Sequence, residues 1–193
     1  MVRDEKKQVY IIYGFLESGK TQFLRYTISQ DYFQIDENSL LICCEEGMEE
    51  YDEKALKEAN TDMVVIDELE DFNVEKLIAL DKQYNPERII IEYNGMWDAK
   101  NIELPANWEL AQQITIVDGV TFETYFANMR SLFAEMIRRS ELLIMNRCHD
   151  VSKLKGYERS IMAINTNISV VFEDENGEVD VPVTDEDLPY DLK

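Results

Sequence analysis

The run Gly14-Phe15-Leu16-Glu17-Ser18-Gly19-Lys20-Thr21 fits the spacing G-x-x-x-x-G-K-[ST]. Its residue types and spacing serve one chemistry, the cradling of a phosphate chain. Glycines let the backbone curl until successive N–H groups point at a phosphate. The N-terminus of a following helix adds partial positive charge. A lysine placed like Lys20 reaches β- and γ-phosphates, and a hydroxyl placed like Thr21 ligates Mg²⁺. Gly14, Ser18, Gly19, Lys20 and Thr21 are therefore candidate phosphate-binding residues. Glu17 is the awkward member, because a carboxylate repels phosphate. Its N–H can face the ligand while its side chain points outward.

Such a loop must join a strand to a helix. Residues 8–13 form an apolar, β-branched and aromatic run that ends at Gly14. Residues 20–30 have helical spacing, with Phe23, Leu24 and Ile28 on one face. Further apolar runs occur at 39–44, 63–66, 88–92, 114–117, 142–145 and 168–172. Between them, residues 48–59, 74–84, 121–140 and 153–164 read as helices. In the third of these, Phe122, Phe126, Met129, Phe133 and Met136 recur every three or four residues, with Thr121 expected as the N-cap. Continuous apolar runs indicate strands covered on both faces. Their alternation with helices predicts an α/β fold, three layers around a mainly parallel sheet of about seven strands. Residues 96–108 read as an irregular connection, and Asn176-Gly177 as a tight hairpin turn.

The chain has 193 residues, 40 acidic against 19 basic, for a formal net charge of -21. Residues 45–75 carry 13 acidic and 2 basic side chains, and residues 173–193 carry 9 acidic and one basic. The rest is nearly neutral. Such acidity excludes a nucleic-acid binder, which must neutralise phosphates with Lys and Arg, and an anionic membrane surface as partner. No apolar run approaches the ~18 residues of a membrane span, and the N-terminal residues lack the pattern of a signal peptide. A cytoplasmic location is expected. Adjacent strand residues Cys43 and Cys44 point to opposite faces, so they read as buried cysteines rather than a metal pair.

With the phosphate loop, the collinear motifs of the chain resemble the CobW family of P-loop GTPases, relatives of UreG and HypB. That family carries GFLGAGKTT where this chain has residues 14–22, ending in Gln22. Its NEFG corresponds to Cys44-Glu45-Glu46-Gly47, with Asp52 at the family's offset. Its E-T-T-G corresponds to Glu92-Tyr93-Asn94-Gly95, and its V-V-D-A to a strand ending Val117-Asp118-Gly119. Its L-N-K-x-D corresponds to Met145-Asn146-Arg147-Cys148-His149. The resemblance covers about residues 8–172. It implies that Lys20 and Glu92 act on the phosphates, and that Thr21, Glu45 and Glu92 surround Mg²⁺. It also implies that Gly95 senses the γ-phosphate and that Gln22, Asn146 and Arg147 border the nucleotide.

Two departures qualify these expectations. His149 stands where the family's guanine-reading Asp belongs, and Asp150 comes one residue late. Either the loop brings Asp150 in, or guanine specificity is relaxed, so GTP is expected with ATP not excluded. The family's Cys-x-Cys-Cys is missing from residues 65–71. The nucleotide-binding domain spans residues 1–172. Residues 173–193 read as an acidic hairpin and tail, or as a linker to a C-terminal domain like the family's own. The expected function is a slow Mg²⁺-dependent GTPase switch of the metallochaperone or cofactor-insertion type, acting on a protein client or second domain. A nucleotide-dependent homodimer would be another way to complete the site. The alternatives are a nucleotide-binding regulatory module without hydrolysis and, less favoured, a small-molecule kinase.

Overall fold

The computed structural model describes residues 6–45 and 51–181. Residues 46–50, where the second predicted helix was to begin, and the tail from 182 onward lie outside the described residues. The strands are β1 (Lys7–Tyr13), β2 (Ser39–Cys43), β3 (Thr61–Val65), β4 (Arg88–Glu92), β5 (Trp108–Asp118), β6 (Leu142–Asn146), β7 (Ser169–Asp174) and β8 (Gly177–Glu178). They form one sheet in the order β3-β2-β4-β1-β5-β6-β7-β8. Every pairing is parallel except the last, in which β8 runs antiparallel to β7. The helices are α1 (Lys20–Ile28), α2 (Glu53–Glu58), α3 (Val74–Tyr84), α4 (Phe122–Asn128), α5 (Arg130–Arg139) and α6 (Val151–Met162).

The period of two in a strand explains why the apolar runs are continuous. Val9, Ile11 and Tyr13 of β1 join one core, and Ile12 joins the other. Leu40 and Ile42 of β2 likewise oppose Leu41, and Ile89 and Ile91 of β4 oppose Ile90. The first core is covered by Leu77 and Leu80 of α3, Phe133, Met136 and Ile137 of α5, and Leu154 and Ile161 of α6. The second is covered by Leu24 and Ile28 of α1 and Leu56 of α2. Each of these central strands therefore needs apolar residues on both faces. No helix among the described residues is long and apolar enough to cross a membrane.

The structure departs from expectation at four places. The helix expected over 121–140 is two helices, because Met129 (φ -124°, ψ 37°) leaves helical geometry. The apolar stripe survives the break, since Met129 N bonds Tyr125 O and Phe133 N bonds Met129 O. Thr121 does not cap α4 through its side chain. It is already in the helical region (φ -99°, ψ -5°), where an N-cap needs extended backbone. The C-terminal hairpin pairs Asp174 with Gly177, so its two-residue loop is Glu175-Asn176, one residue earlier than expected. The strand expected at 114–117 begins at Trp108, whose side chain is buried.

Candidate functional site

The phosphate loop joins the C-terminal end of β1 to the N-terminus of α1, at the end of the sheet where α/β proteins gather their ligands. Its curl is visible in the Ser18 N–H, which donates to Phe15 O at 3.1 Å. Gly19 has φ +99°, and a Cβ there would lie 2.7 Å from Asn146 Nδ2. Both backbone and space thus require glycine. Glu17 takes φ 60° despite its side chain, which is exposed, as the sequence suggested.

Lys20 is buried. Its Nζ donates to Gly14 O at 2.8 Å and Phe15 O at 2.9 Å, and pairs with Glu45 Oε2 at 2.6 Å. The ammonium's three protons are therefore matched by two carbonyls of its own loop and one carboxylate. Beside it, Thr21 Oγ1 donates to Glu92 Oε1 at 2.6 Å. Glu92 ends β4 and is fully buried. The hydroxyl of Tyr51 donates to its Oε2 at 2.6 Å, and Cys43 Sγ lies 3.3 Å from the same oxygen. Cys43 reaches it because β2 and β4 pair in register, Cys43 beside Glu92. Burial, and then the neighbouring Glu92 charge, push the Cys43 thiol up to about 12 and raise the Tyr51 phenol as well. Both groups stay protonated as donors at neutral pH.

Gly95 packs directly on the loop. A Cβ there would lie 2.0 Å from Gly14 O and 2.6 Å from Phe15 Cα. On the opposite side, Asn146 Nδ2 donates to Ser18 O at 2.7 Å. Arg147 (φ 54°) donates to Asp118 Oδ2 at 2.7 Å and to Glu17 O at 3.1 Å. Gly119, Arg147, Cys148, His149, Asp150 and Lys153 line the adjoining cavity. Asp150 is the N-cap of α6, accepting from Ser152 N at 3.2 Å and Ser152 Oγ at 2.6 Å. His149 is exposed, and Cys148 is buried. Gln22 is exposed on α1 and lines a groove with Arg25, Tyr51 and Asp52.

The fold thus brings Gly14, Glu17, Ser18, Gly19, Lys20, Thr21, Glu45, Glu92, Gly95, Asn146 and Arg147 together around one loop, while Gln22 faces the α1–α2 groove. Two buried polar atoms there, Ser18 Oγ and Asn146 Oδ1, have no hydrogen-bond partner among the described residues. Buried groups of this kind are rare, and a ligand, an ion or an ordered water is what can complete their bonding. Sequence reasoning missed Tyr51, Asp118 as a partner, and Cys43 as a neighbour of Glu92. Tyr51 directly precedes the family-matched Asp52, the N-cap of α2. A polar aromatic residue at that place was the one available signal. Among the described residues, no group of three or more His, Cys, Asp or Glu is placed to hold a metal ion.

A family model described as the CobW/HypB/UreG nucleotide-binding domain matches residues 8–172. Among curated protein sequences, none matches. Solved structures with the same fold include the hydrogenase maturation factor HypB from Archaeoglobus fulgidus, at 16% identity and a TM-score of 0.58, covering 90% of this chain and 83% of that one. Zn(II)-bound YjiA GTPase from E. coli aligns at 21% identity and a TM-score of 0.62, over 91% of this chain and 60% of its own. HypB from Helicobacter pylori in complex with nickel aligns at 12% identity and a TM-score of 0.55, over 89% and 80%.

Proposed function

The chain belongs to the CobW/HypB/UreG nucleotide-binding domain family, and from that premise we propose that it is a GTP-dependent switch serving metal or cofactor insertion. The observation that carries this reading is the placement of Lys20 and the Thr21–Glu92 pair beside one curled loop. Lys20 exchanges Glu45 for the β- and γ-phosphate oxygens. The backbone N–H groups of residues 15–20 and the α1 N-terminus supply the remaining positive potential. Asn146 keeps the loop's Ser18 carbonyl in place, and Gly95 lets the end of β4 press against the loop.

The donor set fits Mg²⁺, a hard cation held by one or two carboxylates plus the substrate's phosphates. Thr21 and Glu92 would hold it, with Glu45 as a third oxygen donor. Bound Mg²⁺ would supply charge compensation for the phosphate oxygens. The Thr21 hydroxyl can donate to Glu92 while its lone pair faces the cation. Gly119, Arg147 and His149 border the base. GTP is preferred over ATP, although Asp150 is committed to capping α6.

Hydrolysis is slow without a partner or second copy to complete the site. Among the named neighbours, YjiA is Zn(II)-bound, the Helicobacter HypB is in complex with nickel, and the Archaeoglobus HypB is a hydrogenase maturation factor. That supports a client-directed role, with a basic client surface meeting the acidic residues of 51–75. Residues 65–71 contain no cysteine, so the thiolate metal site of the family is not assigned to this chain. A second reading, a nucleotide-binding module without turnover, is favoured by one observation: Glu92 is fully buried beneath Tyr51 and Cys43. Binding of GTP, GDP and ATP by the purified chain with Mg²⁺, together with phosphate release, tests both. Equal affinity for ATP and GTP sinks the guanine preference. Tight binding without turnover, even with a partner, selects the second reading.

A further inference from the structure

The Glu92 carboxylate has an unusual set of neighbours. Its Oε1 takes the Thr21 hydroxyl at 2.6 Å, and its Oε2 takes the Tyr51 hydroxyl at 2.6 Å and lies 3.3 Å from Cys43 Sγ. The two hydroxyls are neutral donors to a carboxylate with no exposure to solvent, whereas the Cys43 thiol has a single proton and lies nearer Glu45 O, at 3.2 Å. Bonds to an ionised acceptor are the strong ones, so the two hydroxyls dominate its orientation. Tyr51 differs from Thr21 in where it comes from. It stands one residue before the α2 N-cap Asp52, whose side chain accepts from Lys54 N. Its ring packs against the core that also holds Leu24, Ile28 and Leu56. A partly buried ring just before a capped helix therefore delivers one hydroxyl to one oxygen of a residue 41 positions away.

We propose that Tyr51 is a positioning residue for Glu92: by anchoring Oε2 it turns Oε1 toward Thr21 and so presents the carboxylate edge that meets Mg²⁺ on a bound nucleotide. The inference rests on the nucleotide-binding reading above and adds a residue that the family motifs do not include. Without the Tyr51 hydroxyl, a fully buried oxygen keeps only a sulfur contact among the described residues. The carboxylate then gains by rotating to share the Thr21 hydroxyl between its two oxygens. Phosphate binding through Lys20 and the loop N–H groups does not pass through Tyr51. Its loss should therefore separate the Mg²⁺-dependent part of binding from the rest.

The test measures nucleotide affinity with a fluorescent GTP analogue in excess Mg²⁺ and in EDTA, and takes the ratio. Tyr51→Phe keeps the ring and its packing. It is expected to leave the EDTA affinity within about twofold and to lower the Mg²⁺/EDTA ratio about tenfold, the size of one charge-assisted hydrogen bond. Cys43→Ala removes the longer contact to the same oxygen and should lower the ratio by less than about threefold. An unchanged ratio in Tyr51→Phe overturns the proposal. So does an equal fall in the EDTA affinity, which would mark a packing role, or an equal loss in both variants. A wild-type chain that binds no nucleotide, or binds it without regard to Mg²⁺, overturns the function reading and this inference with it.

Discussion

Lys20 Nζ lies 2.6 Å from Glu45 Oε2, and both side chains are largely shielded from water. The residue expected to hold phosphate thus already holds an internal anion. A nucleotide must displace that carboxylate before Lys20 can serve it, and the displaced acid repels the incoming phosphates. Glu45→Gln should therefore tighten nucleotide binding in EDTA by roughly tenfold, about 1.4 kcal/mol. The same change should cost the empty protein about 1–3 kcal/mol, because a buried ammonium loses its charged partner. Denaturant titration and Mg²⁺-free binding check the two effects together. Weaker Mg²⁺-free binding would show that Glu45 does not compete with phosphate.

Gly95 tests the loop's packing. Because a methyl there meets backbone atoms of Gly14 and Phe15, neither side can yield without moving the phosphate loop. Gly95→Ala should destabilise the protein by about 1–3 kcal/mol or more and weaken GTP binding at least tenfold. A variant with wild-type Tm and affinity would contradict the observed contact.

Much of this architecture was legible in the sequence. The phosphate loop is a local pattern, and eight continuous residues suffice to read it. The strands were visible because their runs feed two cores at once, as Leu40, Leu41 and Ile42 do. What stayed hidden depends on register or on distant segments. Cys43 meets Glu92 only because β2 pairs with β4. Tyr51 meets it only because α2 lies where it does. The break at Met129 leaves the apolar period intact, so periodicity could not reveal it. The hairpin loop at Glu175-Asn176 was misplaced because Gly177, with φ +122°, serves as the first residue of β8 rather than a turn residue.

Asp150 provides a clean test of base recognition. As the N-cap of α6 it is replaceable by Asn with little loss, whereas an Ala there should cost about 1 kcal/mol. A carboxylate that reads guanine is not replaceable in this way. Asp150→Asn is therefore expected to keep both Tm and the GTP-to-ATP affinity ratio. A fall of tenfold or more in that ratio would return Asp150 to the base.

The buried thiols predict the alkaline limit of stability. Cys43 is held up at about 12 and Cys148 at about 11, against an ordinary value of 9.0, with burial the first cause in each. Their folded-state values are raised, so the unfolded chain loses these protons first. Stability is then fully present below pH 9 and falls as pH rises from 9 toward 12. Urea midpoints measured across that range should decline, and Cys43→Ala should decline less steeply. A flat profile would mean that the thiols ionise as easily folded as unfolded.

The most direct measurement is calorimetric titration of GTP with Mg²⁺ into the wild-type chain and into Lys20→Ala. Every step proposed for the site runs through the loop that Lys20 serves. The account predicts saturable binding by the wild type and a loss of at least a hundredfold in the variant, with the fold preserved by circular dichroism. Equal binding by the two proteins would contradict it.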